Sequence, residues 1–167
     1  VEAMHKLSGD VEDIDVKRAA GLLVPRVLHT ATGSRRKKWF DVGQESDGTL
    51  RAAGIITALL QSPPVPVIGV EEPELTIHPG AVPVLIDFLR QASRTSQVIV
   101  ATHSPEMLDL VEPEEIRVIS RVDGVSIVRP LERPQVEAVR SRLMSLGDLH
   151  RTVGLRPQLE LGFEEPG

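Results

Sequence analysis

Two adjacent carboxylates, Glu71 and Glu72, follow a short apolar run in the segment VIGVEEPELTIHPG, residues 67–80. A histidine, His103, follows a second apolar run in the segment QVIVATHSP, residues 97–105. Carboxylate oxygens are the hard ligands that Mg²⁺ prefers, and a neighbouring carboxylate can act as the base for an attacking water. An imidazole can hydrogen-bond a phosphate. These residue types therefore indicate magnesium–nucleotide chemistry, provided that the fold brings the two segments together.

The elements around these residues predict a βαβ unit. Residues 65–70 and 97–101 are short runs of β-branched residues, typical of strands that are buried on both faces. Between them, a proline at position 79 and apolar residues at helical spacing predict a helix. The crossover in such a unit is almost always right-handed, so the strands are parallel, and ligands lie beyond their carboxyl ends. We expect four residues to converge on that edge of the sheet: Glu71, Glu72, Thr102 and His103.

A second helix is predicted upstream, in the segment ESDGTLRAAGIITALLQSPP, residues 45–64. Ser46 is well placed as its N-cap and Asp47 lies in its first turn. Two prolines end the pattern, so the helix is expected from about Asp47 to Gln61. Its apolar positions at near-helical spacing are Leu50, Ile55, Ile56, Leu59 and Leu60.

The rest of the chain is less informative. Residues 1–45 predict no definite element, and residues 46–150 contain the recognisable lobe. Within this lobe, Asp123 and Gly124 separate two apolar runs and predict a β-hairpin. Residues 133–150 predict one helix, with Val136, Val139, Leu143 and Leu146 facing inward. Residues 151–167 are expected to form a loose tail.

Composition favours one soluble α/β domain. Of the 167 residues, 41% are hydrophobic and 26% charged, whereas only 2% are aromatic, so the core must be aliphatic. The longest apolar stretch, AAGIITALL, is too short to cross a bilayer, so no membrane partner is expected. The absence of cysteine fits a cytoplasmic location and excludes thiolate metal sites. With a net charge of −5, the chain can contact nucleic acid only through a local patch, SRRKKW, residues 34–39.

Three motifs together carry a family resemblance. VIGVEEPELTIHP resembles the Walker B and D-loop motifs of ABC-type ATPases related to RecF, SMC and OLD-nuclease proteins. ATHSP is similar to their H-loop, and ESDGTLRAAG resembles their signature motif. PEEIRVISRVDGVSIVRP and SLGDLH also resemble the C-terminal end of such AAA-type ATPases. The resemblance implies an α/β P-loop NTPase fold of the ABC-ATPase type, with a partly parallel sheet flanked by helices.

The resemblance also implies roles for individual residues and two cofactors, ATP and Mg²⁺. Glu71 would hold Mg²⁺ through water, Glu72 would be the catalytic base, and His103 would contact the γ-phosphate. His78 would face a dimer partner. Three residues would cap the γ-phosphate of ATP bound by the opposite protomer, at the N-terminus of a helix, which is an anion site: Ser46, Asp47 and Gly48.

One motif of the family is missing. The sequence contains no G-x-x-x-x-G-K-[ST] loop to hold the α- and β-phosphates. The chain is therefore expected to be the C-terminal half of a longer or split ATPase that lacks the Walker A lobe and is inactive alone. In the family, the missing lobe supplies a strand beside the H-loop strand, so we expect either a gap there or another element that fills it. Expected partners are ATP, a second copy or a subunit carrying the Walker A lobe, and a DNA-linked or nuclease protein.

Simpler interpretations remain open for each residue taken singly. Paired acids commonly end a strand in solvent, a turn histidine is often structural, Ser46 is at least a helix cap, and His78 could merely start a helix. As a whole, the chain could instead be a non-catalytic module that docks on the partner supplying the missing lobe. A third alternative is a nucleic-acid-binding protein that uses the basic residues 35–38.

Overall fold

The computed structural model describes residues 1–30 and 37–158. The chain forms two compact units, Val1–His103 and Ser104–Gly167. The first unit ends within the segment ATHSP, residues 101–105. Among the described residues, no helix is both long and apolar enough to span a membrane.

The described part of the first unit begins with a helix and an antiparallel sheet. In chain order it contains α1 (Glu2–Ser8), β1 (Val11–Ala19), β2 (Leu22–Thr30), β3 (Lys37–Asp41), α2 (Asp47–Leu59), β4 (Val67–Glu71), α3 (Val82–Ala92) and β5 (Gln97–Ala101). The 3-10 turns Val42–Gln44 and Pro79–Ala81 precede α2 and α3. The predicted helices and strands between residues 46 and 101 are thus confirmed, with small shifts at their ends.

Strands β1, β2 and β3 pair antiparallel in that order. Ala20 and Gly21 join β1 to β2 in a two-residue turn with φ values of 50° and 78°, the combination that type I′ hairpins require. The sequence predicted no element here because the turn is Ala-Gly rather than the strongly marked Asn-Gly or Asp-Gly.

Lys37 and Lys38, the described lysines of the basic segment, are the first two residues of β3. Residues 34–36 lie outside the described residues. Lys37 forms an ion pair with Glu12 at 3.1 Å, and the Lys38 ammonium lies 4.8 Å from the ring centre of Phe40. Both described lysines of this segment therefore contact residues of the N-terminal sheet.

The core of the first unit lies between α2, α3 and one face of the β4–β5 sheet. Strands β4 and β5 are parallel, as predicted, and Ile68 faces the helices. On the opposite face, Val67 and Ile99 are each 54% exposed. Among the described strands, β5 hydrogen-bonds only to β4, whereas the strand at residues 117–122 belongs to a separate sheet. The residues buried on the helices are Ala52, Ile55, Ile56 and Leu59 of α2 and Val82, Leu85, Ile86, Leu89 and Ala92 of α3; Leu50 and Leu60 are exposed.

The second unit surrounds a smaller apolar cluster of Leu108, Leu131 and Leu146. Its described elements are α4 (Pro105–Leu108), the 3-10 turn Pro113–Glu115, β6 (Arg117–Val122), β7 (Val125–Pro130), α5 (Arg133–Arg140) and α6 (Leu146–Thr152). The predicted hairpin is confirmed: Asp123 and Gly124 have φ values of 50° and 83°, as a type I′ turn requires.

The prediction of one helix over residues 133–150 is wrong. Arg142 adopts a left-handed φ of 56°, which ends the preceding helix, and Ser145 starts the next one. The Ser145 side chain accepts a hydrogen bond from the Asp148 N–H, while Asp148 caps the Ser145 N–H in return. Leu143, predicted to face inward, is 77% exposed because it lies in the break.

The expected loose tail is also ordered where it is described. Helix α6 continues to Thr152, and Pro157 forms a β-bridge with Leu131. The Gln158 N–H donates to the Pro130 carbonyl at 2.8 Å. Residues 159–167 lie outside the described residues.

Removing the α6 cap tests whether the capping box separates the two helices. Ser145→Ala should lower the stability of the second unit by about 1 kcal/mol, because the Asp148 N–H loses its acceptor. Ser141→Ala, an exposed position at the end of α5, is the matched control and should change stability little. Urea unfolding, together with the rate of amide exchange in α6, measures the stability of both variants. Equal stabilities would contradict the assignment of Ser145 as the N-cap of α6.

Candidate functional site

The carboxyl ends of β4 and β5 bring the predicted acid and histidine together. The parallel register ends with Glu71 opposite Ala101. The Glu72 N–H then donates to the Ala101 carbonyl at 2.7 Å. The backbone N–H of His103 donates to Glu72 Oε1 at 3.1 Å. The predicted convergence of these segments on one sheet edge is therefore confirmed.

Glu72 lies in an unusual backbone conformation. Its φ of 43° is left-handed, a region that residues other than glycine seldom occupy. Thr76 also has a positive φ, 65°, although it is β-branched. The turn between them is held by hydrogen bonds from Leu75 N–H to the Glu72 carbonyl at 3.1 Å and from Ile77 N–H to the Glu74 carbonyl at 3.0 Å. Strained residues of this kind cluster at functional sites, where the surrounding structure holds them in place.

A second acid, Glu74, supports this edge. Thr102 Oγ1 donates to Glu74 Oε1 at 2.5 Å, whereas Glu74 Oε2 is buried without a hydrogen-bond partner among the described residues. Burial raises the pKa of Glu72, and the neighbouring Glu74 carboxyl raises it further. The hydrogen bond from the His103 backbone and the charge of His103 oppose this rise. At this edge of the sheet, the Glu72 carboxylate therefore binds a proton more readily than an ordinary glutamate does.

Glu71 differs from Glu72 in its surroundings. Its side chain is exposed, on the face of the sheet that the helices leave open. In the described part of the chain, no three carboxylate or imidazole side chains are grouped to hold a metal ion. Mg²⁺ usually binds through one or two carboxylates together with waters and substrate phosphates, so one exposed carboxylate fits a magnesium–nucleotide complex but not an all-protein metal site.

Three of the residues expected to bind nucleotide line one cavity. Ser46, Gly48 and His78 share a cavity of about 650 Å³, whose other walls come from the end of α1, residues 6–10, and from the segment 76–81. Asp47 is exposed and is not among the lining residues. The predicted phosphate cap is therefore brought together only in part.

The cavity residues also have local structural roles. The Ser46 side chain accepts from the Thr49 N–H at 3.1 Å, which confirms the predicted N-cap. The His78 Nδ1 accepts from the Gly80 N–H at 3.1 Å and so starts the 3-10 turn, as the simpler interpretation expected. These contacts alone do not require a nucleotide.

Gly48 allows α2 to approach the strained turn closely. A β-carbon at this position would lie 2.3 Å from the Thr76 carbonyl oxygen, which is far below a real contact distance. The glycine of the segment ESDG is therefore required by packing, whatever it binds.

The sequence did not single out two residues that the structure places at this edge. Arg51 Nη2 donates to the Glu71 carbonyl at 2.8 Å and to the Glu72 carbonyl at 2.7 Å. Glu74 could have been found from its place two residues after Glu72. Arg51 could not, because its contact depends on how α2 packs beside β4.

A protein family model matches a large part of the chain. Residues 10–109 match the family described as "AAA domain, putative AbiEii toxin, Type IV TA system". Among proteins of curated function, none matches this sequence.

Solved structures of SMC ATPase heads are similar to this chain. One, from work on ATP-driven dimerization and DNA-stimulated activation of SMC ATPases, has a TM-score of 0.61 at 21% identity, covering 85% of this chain and 86% of that one. An Smc head bound to the C-winged helix domain of ScpA has a TM-score of 0.61 at 20% identity, covering 81% and 42%. An Smc head with coiled coil and joint from Pyrococcus yayanosii has a TM-score of 0.59 at 21% identity, covering 85% and 28%. The predicted P-loop NTPase fold is thereby confirmed.

The tight approach at Gly48 can be tested directly. Gly48→Ala should destabilise the first unit by about 1–3 kcal/mol, because the added methyl group forces α2 and the Thr76 backbone apart. Gly54→Ala is the matched control, since a β-carbon at this position in the same helix meets nothing within 4 Å. The control should be neutral or stabilising, because alanine favours a helix interior. Thermal unfolding that ranks the two variants the other way would contradict the packing role.

The carboxyl pair can be tested by titration. Glu74→Gln should lower the pKa of Glu72, because the variant loses the Glu74 carboxyl that, after burial, raises it. A pH titration of the Glu72 carboxyl carbon by NMR measures the change, with the pKa of Glu106 as internal reference. An unchanged pKa of Glu72 would show that Glu74 has no influence.

Proposed function

We propose that this chain is the part of an ATPase head that hydrolyses ATP at an interface between two heads. The chain belongs to the AAA domain family that its residues 10–109 match. Family and fold make it an AAA-like ATPase domain. The observation that carries the finer proposal is the hydrogen bond from His103 N–H to the Glu72 carboxylate at the shared strand edge. This contact joins the proposed base to the segment that would carry the γ-phosphate contact.

The proposed chemistry assigns one task to each polar group. Glu72 accepts the proton of the attacking water, and its raised pKa makes it a stronger proton acceptor. His103 hydrogen-bonds the γ-phosphate. Glu71, exposed beside them, would hold Mg²⁺ through water, and the ion would supply positive charge to the phosphates of ATP.

Binding of the α- and β-phosphates of ATP needs residues from outside this sequence. The sequence contains no G-x-x-x-x-G-K-[ST] loop, the motif whose backbone holds the α- and β-phosphates. We propose that a lobe outside this sequence provides it, on the same polypeptide or on a partner subunit. The cavity at Ser46, Gly48 and His78 would then face the nucleotide of the opposite head. ATP-driven dimerization is described for the SMC ATPases that share the fold.

A second candidate function is a docking module without catalysis. It is favoured by the open face of the β4–β5 sheet, where Val67 and Ile99 are each 54% exposed. Parallel strands are almost always covered on both faces, so this face suits contact with another lobe whether or not ATP is split there.

Replacing the proposed base distinguishes the two functions. Glu72→Gln, assayed together with the polypeptide that carries the phosphate loop, should retain ATP binding and lose turnover by about 10²–10⁴-fold, because the amide keeps the shape but cannot take a proton. Glu137→Gln, an exposed position on α5, is the matched control and should leave turnover unchanged. Nucleotide binding by calorimetry and phosphate release measure the two properties.

The opposite results are equally clear. Normal turnover in Glu72→Gln would remove Glu72 as the base. An assembly that forms with the phosphate-loop polypeptide but never hydrolyses ATP, even with Glu72 intact, would favour the docking module.

A further inference from the structure

We infer that Arg51 is a positioning residue that ties the first turns of α2 to the backbone of Glu72 and thereby sets where the Glu72 carboxylate points. The inference rests on the proposed function, because it assigns Arg51 a part in the same reaction. The structural part of the claim can nevertheless be tested without any ATP turnover.

The consecutive carbonyl groups at positions 71 and 72 point to the same side. In a regular strand, successive carbonyls point to opposite sides. Here the consecutive carbonyls of Glu71 and Glu72 both accept from a single nitrogen, Arg51 Nη2, at 2.8 and 2.7 Å. The left-handed φ of Glu72 therefore turns its carbonyl to the side of its neighbour. Two converging carbonyl oxygens repel each other, and a guanidinium N–H₂ donates one hydrogen to each.

Arg51 lies on the face of α2 that is next to the strained turn. Gly48 and Arg51 are three residues apart, so they lie on the same face of α2. Gly48 contacts the Thr76 carbonyl, and Arg51 contacts the carbonyls at positions 71 and 72. The first turns of α2 therefore hold the strained turn at both ends. Since Ser46, the N-cap of α2, lines the cavity, a displacement there would be carried to Glu72.

Part of the Arg51 side chain is unfavourable for the stability of the fold. Its Nε is buried and has no hydrogen-bond partner among the described residues. A buried donor without a partner lowers stability. The Glu72 carbonyl also accepts from the Leu75 N–H, so a methionine of similar length at position 51 would leave few groups unsatisfied. Stability alone therefore does not account for arginine at this position, whereas the orientation of Glu72 does.

Amide exchange on the chain itself tests the structural part. Arg51→Met should speed exchange of the Glu72 and His103 amides by about tenfold, because both hydrogen bonds depend on the geometry of the turn. Amides in the middle of α3 should keep their wild-type rates. Arg51→Lys, which retains a charged donor, should give an intermediate rate. Arg94→Met, at an exposed arginine after α3, is the control and should change neither amide.

The outcomes separate positioning from general stability. Equal exchange of the Glu72 and His103 amides in Arg51→Met and wild type would overturn the inference. Equal acceleration of the α3 amides would do so as well, because it would show a loss of overall stability.

Turnover in the assembly with the phosphate-loop polypeptide tests the functional part. Arg51→Met should lower kcat about tenfold or more with KM for ATP little changed, and Arg51→Lys should recover part of the loss. An unchanged kcat would overturn the functional part. If the wild-type assembly has no turnover, the proposed function fails, whereas the exchange result still decides whether Arg51 positions Glu72.

Discussion

The hydrogen bond from the Glu72 N–H to the Ala101 carbonyl is the contact on which the site depends. It continues the parallel ladder of β4 and β5 by one residue beyond the last strand pair, Glu71 and Ala101. Beyond this point the left-handed φ of Glu72 turns the chain away from the sheet. The next hydrogen bond joins the Glu72 side chain to the His103 backbone. Backbone hydrogen bonds between the two strands thus end at Glu72, and a side-chain hydrogen bond follows them. As a result, the Glu72 carboxylate lies where the strand would otherwise continue.

Several weak contacts from different parts of the chain hold this turn. Strand β5 provides the Ala101 carbonyl, and the segment after β5 provides the His103 N–H. The turn itself provides the Leu75 N–H, and α2 provides Arg51 and the close approach at Gly48. A left-handed residue other than glycine costs roughly 1–3 kcal/mol and persists only where its surroundings hold it. The packed face shared by α2, α3 and β4 supplies that support, since it fixes the elements from which the contacts come. Core and site are therefore linked through α2.

The same unit presents two surfaces with different character. The cavity at Ser46, Gly48 and His78 lies at the start of α2, and the N-terminus of a helix favours anions. The open face of the β4–β5 sheet is apolar and suits contact with protein. Similarity to SMC heads at about one-fifth identity establishes the fold, and the functional proposals rest on these two surfaces and on the Glu72 edge.

The sequence by itself determined the local elements between residues 46 and 101 and the parallel pair of strands. There, hydrophobic periodicity, the Ser46 cap and the prolines all favour the same result. It failed where short-range signals were weak: the Ala-Gly turn of the N-terminal hairpin, and the break at Arg142, where continuous apolar spacing hid the Ser145 capping box. It predicted that Glu72 and His103 meet, because the carboxyl ends of adjacent parallel strands share an edge. Only the tertiary structure decided that Glu72 is left-handed and that Arg51 binds the two carbonyls beside it, because contacts between α2 and the end of β4 depend on packing between distant segments, which residue spacing does not encode.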